Sequence, residues 1–171
     1  LLAVITGSGQ AAVREFASEV RGRTRVYSHG NASAASADPQ VQQVVGKASA
    51  FVYAAEAATL AAAAAAQAAF EARYAGDVAA EHRANVAAEL ESAQAQSAVA
   101  ELVLRATSDL FNALGASATS TRKGLDRHWR NARTAASHNP LIYKERIVGA
   151  WAIDGSEPPF VWQIGGGSKQ G

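Results

Sequence analysis

The sequence has no cysteine and no methionine in 171 residues. Without cysteine there is no disulfide framework, no thiol nucleophile and no thiolate metal site. That composition suits a reducing compartment, and a cytoplasmic location is the expectation. An excess of one charge is also missing. Sixteen Lys and Arg against 15 Asp and Glu leave a formal net charge of +1, too little to draw the chain toward nucleic acid or an anionic membrane. Long hydrophobic runs are missing too. The longest uncharged apolar stretch, residues 57–70, is mostly alanine and is interrupted by Gln67. It falls short of the roughly 20 residues a bilayer requires, so no membrane partner is expected. No basic segment precedes an apolar one at the start, and no signal peptide is visible. The opening "LLAVITGSGQ" carries no initiator residue, which leads to the expectation that the chain is a piece of a longer protein.

What is there reads as helix almost throughout. The spacing predicts a helix over residues 9–24, with Ala12, Phe16 and Val20 on one side. The segment "VYSHGNASAASADP" reads as a loop. Asp38-Pro39 then starts a second helix, with Asp as N-cap and Pro at the first helical position. Val41, Val44, Val45, Ala48, Val52 and Ala55 recur at helical spacing, and the pattern runs to Tyr74 before Gly76 ends it. Asp77 opens a third helix to about Leu114, with Val86, Leu90, Ala93, Ser97, Leu104, Thr107 and Phe111 on one face. The short "YAGD" connection makes the two long helices antiparallel neighbours. The only strand-like stretches, "AFVY" and "PFVWQI", are embedded or isolated. The fold class is all-α, an up-and-down helical bundle. Helices this long suggest packing on sister chains, so a homo-oligomer is expected.

Candidate chemistry is sparse. The four histidines include no i, i+4 pair, so no metal site is expected. His82, flanked by Glu81 and Arg83, and His29, in the loop, read as solvated. No Walker, Rossmann or G-x-S-x-G pattern occurs. The stretch "GLDRHWRNARTAASHNP" is more informative. As a helix it puts Arg127, Asn131, Thr134 and His138 on one face and Leu125, Trp129, Ala132 and Ala136 on the other. Pro140 forces the residue before it out of helical geometry, leaving His138 at the helix end. Two readings stand: a row of hydrogen-bonding groups facing a ligand, or a surface helix whose basic residues complement carbonyl ends and nearby glutamates. Likewise "ALGASATS" offers small residues and amides that suit a phosphate or a flat ring, while a helix-ending glycine accounts equally well for Gly115.

"LDRHWRNARTAASHNPLIYKERIVGAW" resembles the C-terminal signature of flavin-dependent monooxygenases with the acyl-CoA dehydrogenase fold, the dibenzothiophene monooxygenase-like group. "FASEVRGRTRVYSHGNASAASADPQVQQVVGKASAFVYAAEA" is similar, more loosely, to the first two helices of the same domain. The resemblance implies that residues 1–171 are the C-terminal helical bundle, with an N-terminal helical domain and a middle β domain absent, and that the bundle builds a homotetramer. It implies reduced FMN supplied by a separate flavin reductase, O2 as co-substrate, and oxygenation of a small sulfur-, nitrogen- or aromatic-centred substrate. His138 corresponds to the active-site histidine beside the flavin, and Asn139 next to it is expected to bind the cofactor. Gly115, Ala116 and Ser117 correspond to a turn against a cofactor phosphate. The phosphate-binding arginine of "RTR" corresponds to Arg23 or Arg25, with Arg25 preferred.

Two alternatives stay open. In an FAD-dependent acyl-CoA dehydrogenase a glutamate would stand where His138-Asn139 stand here. Glu145 lies too far along, though Glu15 or Glu19 on the first helix could supply the base. The third reading is a non-catalytic helical oligomerisation module.

Overall fold

The computed structural model describes residues 1–161. Five α-helices follow one another: α1 (Leu2–Gly22), α2 (Pro39–Ala72), α3 (Val78–Asp109), α4 (Arg127–Ala136) and α5 (Leu141–Asp154). Short 3₁₀ turns at Leu110–Ala113 and Ala116–Thr119 link α3 to α4, and no strand occurs among the described residues. "AFVY" lies inside α2, and half of "PFVWQI", residues 162–164, lies outside the described residues. The fold is the expected all-α bundle.

Asp38 caps α2 as read, its carboxylate accepting the Gln40 amide at 2.8 Å and the Asn31 amide at 2.9 Å. Asp77 caps α3 by accepting the amides of Ala79 and Ala80, both at 3.0 Å. Between them Gly76 takes φ +77°, a left-handed conformation open to glycine at no steric cost. The chain thus reverses within a few residues, and α2 and α3 pack side by side. The 34 residues of α2 extend about 51 Å.

The third helix is the spine. Val86, Leu90, Ala93 and Ala100 are buried along one side, and Ala95, Val99, Val103 and Ala106 along another. One side meets α2, and the others meet α1, α4 and α5. The first helix starts at Leu2, seven residues before the predicted point. Gly9 is a contact residue. A Cβ there would lie 3.0 Å from Val52 and 3.2 Å from Val103, so its absence lets α1 settle into the α2–α3 groove. Phe16 meets Phe111 edge-on at 4.9 Å, and the Thr6 and Thr59 hydroxyls bond at 2.8 Å.

The outer face of α2 leaves Tyr53, Leu60 and Phe70 exposed. By length and composition α2 could also cross a membrane: its most apolar window has mean hydropathy 1.4 and is 22% buried. The strict count of uncharged residues had missed this, since alanine scores as apolar while contributing little surface to bury. One side of α2 is nonetheless occupied, with Ala48, Val52, Ala55 and Ala62 packed inside the bundle.

Candidate functional site

At the C-terminal end of α1 the chain forms an open cleft of about 550 Å³. Its lining joins segments far apart in sequence: Glu19, Arg23 and Arg25 from α1 and its exit, the turn Gly115, Ala116, Ser117, and Lys123. Gly115 takes φ +72°, so the backbone turns sharply out of the 3₁₀ segment that ends α3, and the first residues of the next turn, whose amides have no intrahelical partner, line the cleft. The structure also separates the two candidate arginines. The Arg23 guanidinium donates to the Leu114 carbonyl and, through Nε, to the Arg25 carbonyl at 2.9 Å. Arg23 therefore ties α1 to the turn. Arg25 is exposed, and its guanidinium has no partner among the described residues. An exposed, unneutralised cation beside small residues and turn amides suits a phosphate. The expected grouping of Arg25, Gly115, Ala116 and Ser117 is present.

His138 and Asn139 are elsewhere. Both follow α4, whose last turn tightens as Ser137 N–H donates to Arg133 and His138 N–H donates to Ala135. The His138 ring is exposed, and its Nδ1 lies 3.1 Å from Asn139 Oδ1. The carbonyl oxygen carries no hydrogen, so Nδ1 donates and Nε2 is left facing outward. Asn139 lines a groove with Leu1, Leu2, Ala3 and Lys144 at the N-terminal end of α1. The phosphate-type cleft lies at the other end of that 21-residue helix, about 30 Å away. Within one copy, Asn139 and His138 do not join Arg25 and the Gly115 turn.

The face assignment on α4 needs one correction. Leu125, Ala132 and Ala136 are buried as expected, but Trp129 is 42% exposed and His128 takes its place inside. Only one of the two neighbours fits the seam, and Glu15 of α1 decides which. Its carboxylate meets His128 Nε2 and the Arg127 guanidinium. Burial pushes the Glu15 carboxyl up, but the hydrogen bonds from His128 and Arg127, with their charge, outweigh it and hold it below the usual carboxylate range. Glu19 is likewise ion-paired, with Lys123. The Arg130 side chain pairs with Asp126 at 2.8 Å. The surface-helix reading thus holds for Arg127 and Arg130, while Asn131, Thr134 and His138 form the expected exposed row. His128 was missed. The available signal was Glu15 on the neighbouring helix, invisible until the two helices are placed together. His82 and His29 are exposed as read, His82 pairing with Glu157 at 2.8 Å. No metal-type cluster of His, Asp and Glu occurs among the described residues.

Comparison with known proteins gives a family match over residues 1–141, to the acyl-CoA dehydrogenase C-terminal domain. A probable FMNH2-dependent monooxygenase of Pseudomonas putida is 43% identical over 49 residues, 29% of this chain and 12% of that protein. A dibenzothiophene monooxygenase of Mycolicibacterium goodii is 28% identical over 156 residues, 91% of this chain and 36% of that protein. The crystal structure of FMN-bound TdsC from Paenibacillus sp. A11-2 superposes with TM-score 0.77 at 31% identity, covering 90% of this chain and 38% of that one. The chain therefore spans well under half the length of these relatives.

Proposed function

Because the chain belongs to the family of acyl-CoA dehydrogenase C-terminal domains, we propose that it is the helical-bundle portion of a flavin-dependent monooxygenase. In this reading the complete protein takes reduced FMN from a separate reductase, works in the cytoplasm and oxygenates a small sulfur-, nitrogen- or ring-containing substrate. The observation that carries the reading is the chemistry at the end of α4. His138 and Asn139 stand there, with no carboxylate to abstract an α-proton. Glu15 and Glu19, the other candidate bases, are held in ion pairs. Glu15, its carboxyl held low by His128 and Arg127, is a poor base. The names of the relatives point the same way.

The residues fit a flavin mononucleotide. Arg25 and the Gly115, Ala116, Ser117 turn would hold its phosphate, and His138 would face its ring. When bound, the reduced flavin supplies the electrons that activate O2. Asn139 fixes the His138 tautomer through Nδ1, so Nε2 is the atom that gives or takes a proton where negative charge develops. The span of about 30 Å between the two groups exceeds the reach of the mononucleotide from ring to phosphate. Each site then takes its phosphate anchor from one copy and His138 from another. The exposed Tyr53, Leu60 and Phe70 on α2 supply an apolar surface for such assembly into a dimer or tetramer.

The test uses the complete protein with reduced FMN, a flavin reductase and ¹⁸O2, offered a panel of organosulfur and indole compounds. Product carrying one ¹⁸O atom supports the proposal. Flavin reduction on adding an acyl-CoA, with no labelled product from any compound, would replace it with the dehydrogenase reading.

A further inference from the structure

The cleft at the end of α1 contains an ion pair that its phosphate-binding role does not require. Lys123 bonds Glu19, and both side chains are 34% exposed. The turn that carries Lys123 is tight: its backbone N–H donates to Ser120 at 2.9 Å, and Gly124 follows with φ +57°. The ammonium is thereby held at the cleft that also contains Arg25 and the Gly115 turn. Of the three cations lining it, Arg23 is tied to carbonyls, Arg25 has no partner among the described residues, and Lys123 is neutralised by one carboxylate.

We infer that Lys123 is a phosphate ligand held in reserve by Glu19, and that the exchange selects a flavin ending in a phosphate monoester over one carrying a pyrophosphate. The inference rests on the reading that this cleft takes the phosphate end of the flavin. A terminal phosphate monoester carries about −1.5 to −2 charge at neutral pH. That charge outbids the single charge of Glu19 for a flexible ammonium, and the freed carboxylate turns to water through its exposed side. A pyrophosphate linking two esters has one ionisation per phosphorus and no terminal dianion. It offers Lys123 no more than Glu19 already does. Lys suits such an exchange better than Arg, since its ammonium is a point charge without a fixed bidentate geometry. Glu19 thus sets a threshold: only a ligand of higher charge density recruits the third cation.

The test measures binding of FMN, FAD and riboflavin to the complete protein by fluorescence quenching, in wild type, Lys123→Met, Glu19→Gln and Arg25→Ala. Lys123→Met should weaken FMN by about tenfold, the scale of one charge-assisted hydrogen bond, with FAD and riboflavin little changed. Glu19→Gln should have the opposite sign, tightening FMN severalfold because the competitor is gone. That sign reversal separates the exchange from a structural ion pair, whose loss from either side would weaken FMN alike. FMN unmoved in both variants, or weakened in both, overturns the inference; should Lys123→Met fail to fold, the sign of Glu19→Gln decides alone. Equal wild-type affinity for FMN and riboflavin, with Arg25→Ala silent, removes the phosphate from this cleft and fells the underlying reading together with the inference. An FMN preference that Arg25→Ala destroys and the Lys123 and Glu19 variants leave intact fells the inference alone.

Discussion

His128 and Glu15 stand 113 positions apart in sequence and 2.5 Å apart in space, ring Nε2 to carboxylate oxygen. The ring is 8% exposed, and the same carboxylate holds Arg127. This contact fixes the rotation of α4 about its axis. It turns His128 inward and Trp129 outward, and so sets the direction in which Asn131, Thr134 and His138 face. Glu15→Ala leaves a buried imidazole without its partner. The expected loss is about 1–2 kcal/mol, reduced from the usual range for charged hydrogen bonds by the solvent access of Glu15. A double variant with His128→Ala should lose less than the sum of the two single variants. Urea midpoints measure both, and strict additivity would contradict the coupling.

The same pair makes stability fall in acid. The Glu15 carboxyl lies lower in the folded chain than in the unfolded one. Its contribution is present above the unfolded value, about 4.3, and is lost as pH falls through the folded one. Asp38 and Asp126 act in the same direction. Amides of Asn31 and Gln40 hold the first low, and Arg130 holds the second low. The urea midpoint should therefore fall as pH drops below about 4.5, and Glu15→Ala should flatten part of that slope. An acid limb of equal steepness in the variant would show that Glu15 contributes nothing there.

Two glycines in one helix should respond oppositely to alanine. A Cβ at Gly7 meets nothing within 4 Å, so Gly7→Ala should stabilise by about 0.5–1 kcal/mol through helix propensity. Gly9→Ala places a methyl 3.0 Å from Val52, and a β-branched side chain in a helix has little freedom to yield. Overpacking of about 1–3 kcal/mol should outweigh the propensity gain. Thermal melts of the two variants check this, and a stabilised Gly9→Ala would show that the α1–α2–α3 junction yields more easily than its geometry indicates.

The helices were legible because their limits are written in local chemistry. Asp38-Pro39 and Asp77 are capping signals, and Gly76 is a turn signal. The start of α1 was not legible, because Leu1 makes no side-chain cap that would mark it. The exposure of Trp129 and the burial of His128 were not legible either. Helical spacing allows either one on the buried face, and only Glu15 on another element decides. At the site, the grouping of Arg25 with Gly115, Ala116 and Ser117 followed from the family resemblance. The preference for Arg25 over Arg23 came from the same resemblance, and the hydrogen bonds that tie Arg23 to Leu114 and to the Arg25 carbonyl appear only in the structure. The separation of His138 from that cleft was hidden, since sequence order does not give the run of α4 back along α1.

His138→Ala in the complete protein should lower oxygenated product by on the order of a hundredfold while leaving FMN affinity nearly unchanged. Hydrogen peroxide released per flavin oxidised should rise. Product and peroxide assayed together check this, and unchanged coupling would remove His138 from the chemistry.

The most direct test of the account is complementation between copies. Arg25→Ala and His138→Ala are each expected to be nearly inactive, one at FMN levels that saturate only wild type and the other at any level. Dissociated together and reassembled, the two variants should recover about a quarter of the wild-type sites, each pairing an intact Arg25 from one copy with an intact His138 from another. Activity of the reassembled mixture no higher than the mean of the separate variants would contradict the shared site, and with it the claim that opposite ends of α1 serve different flavins.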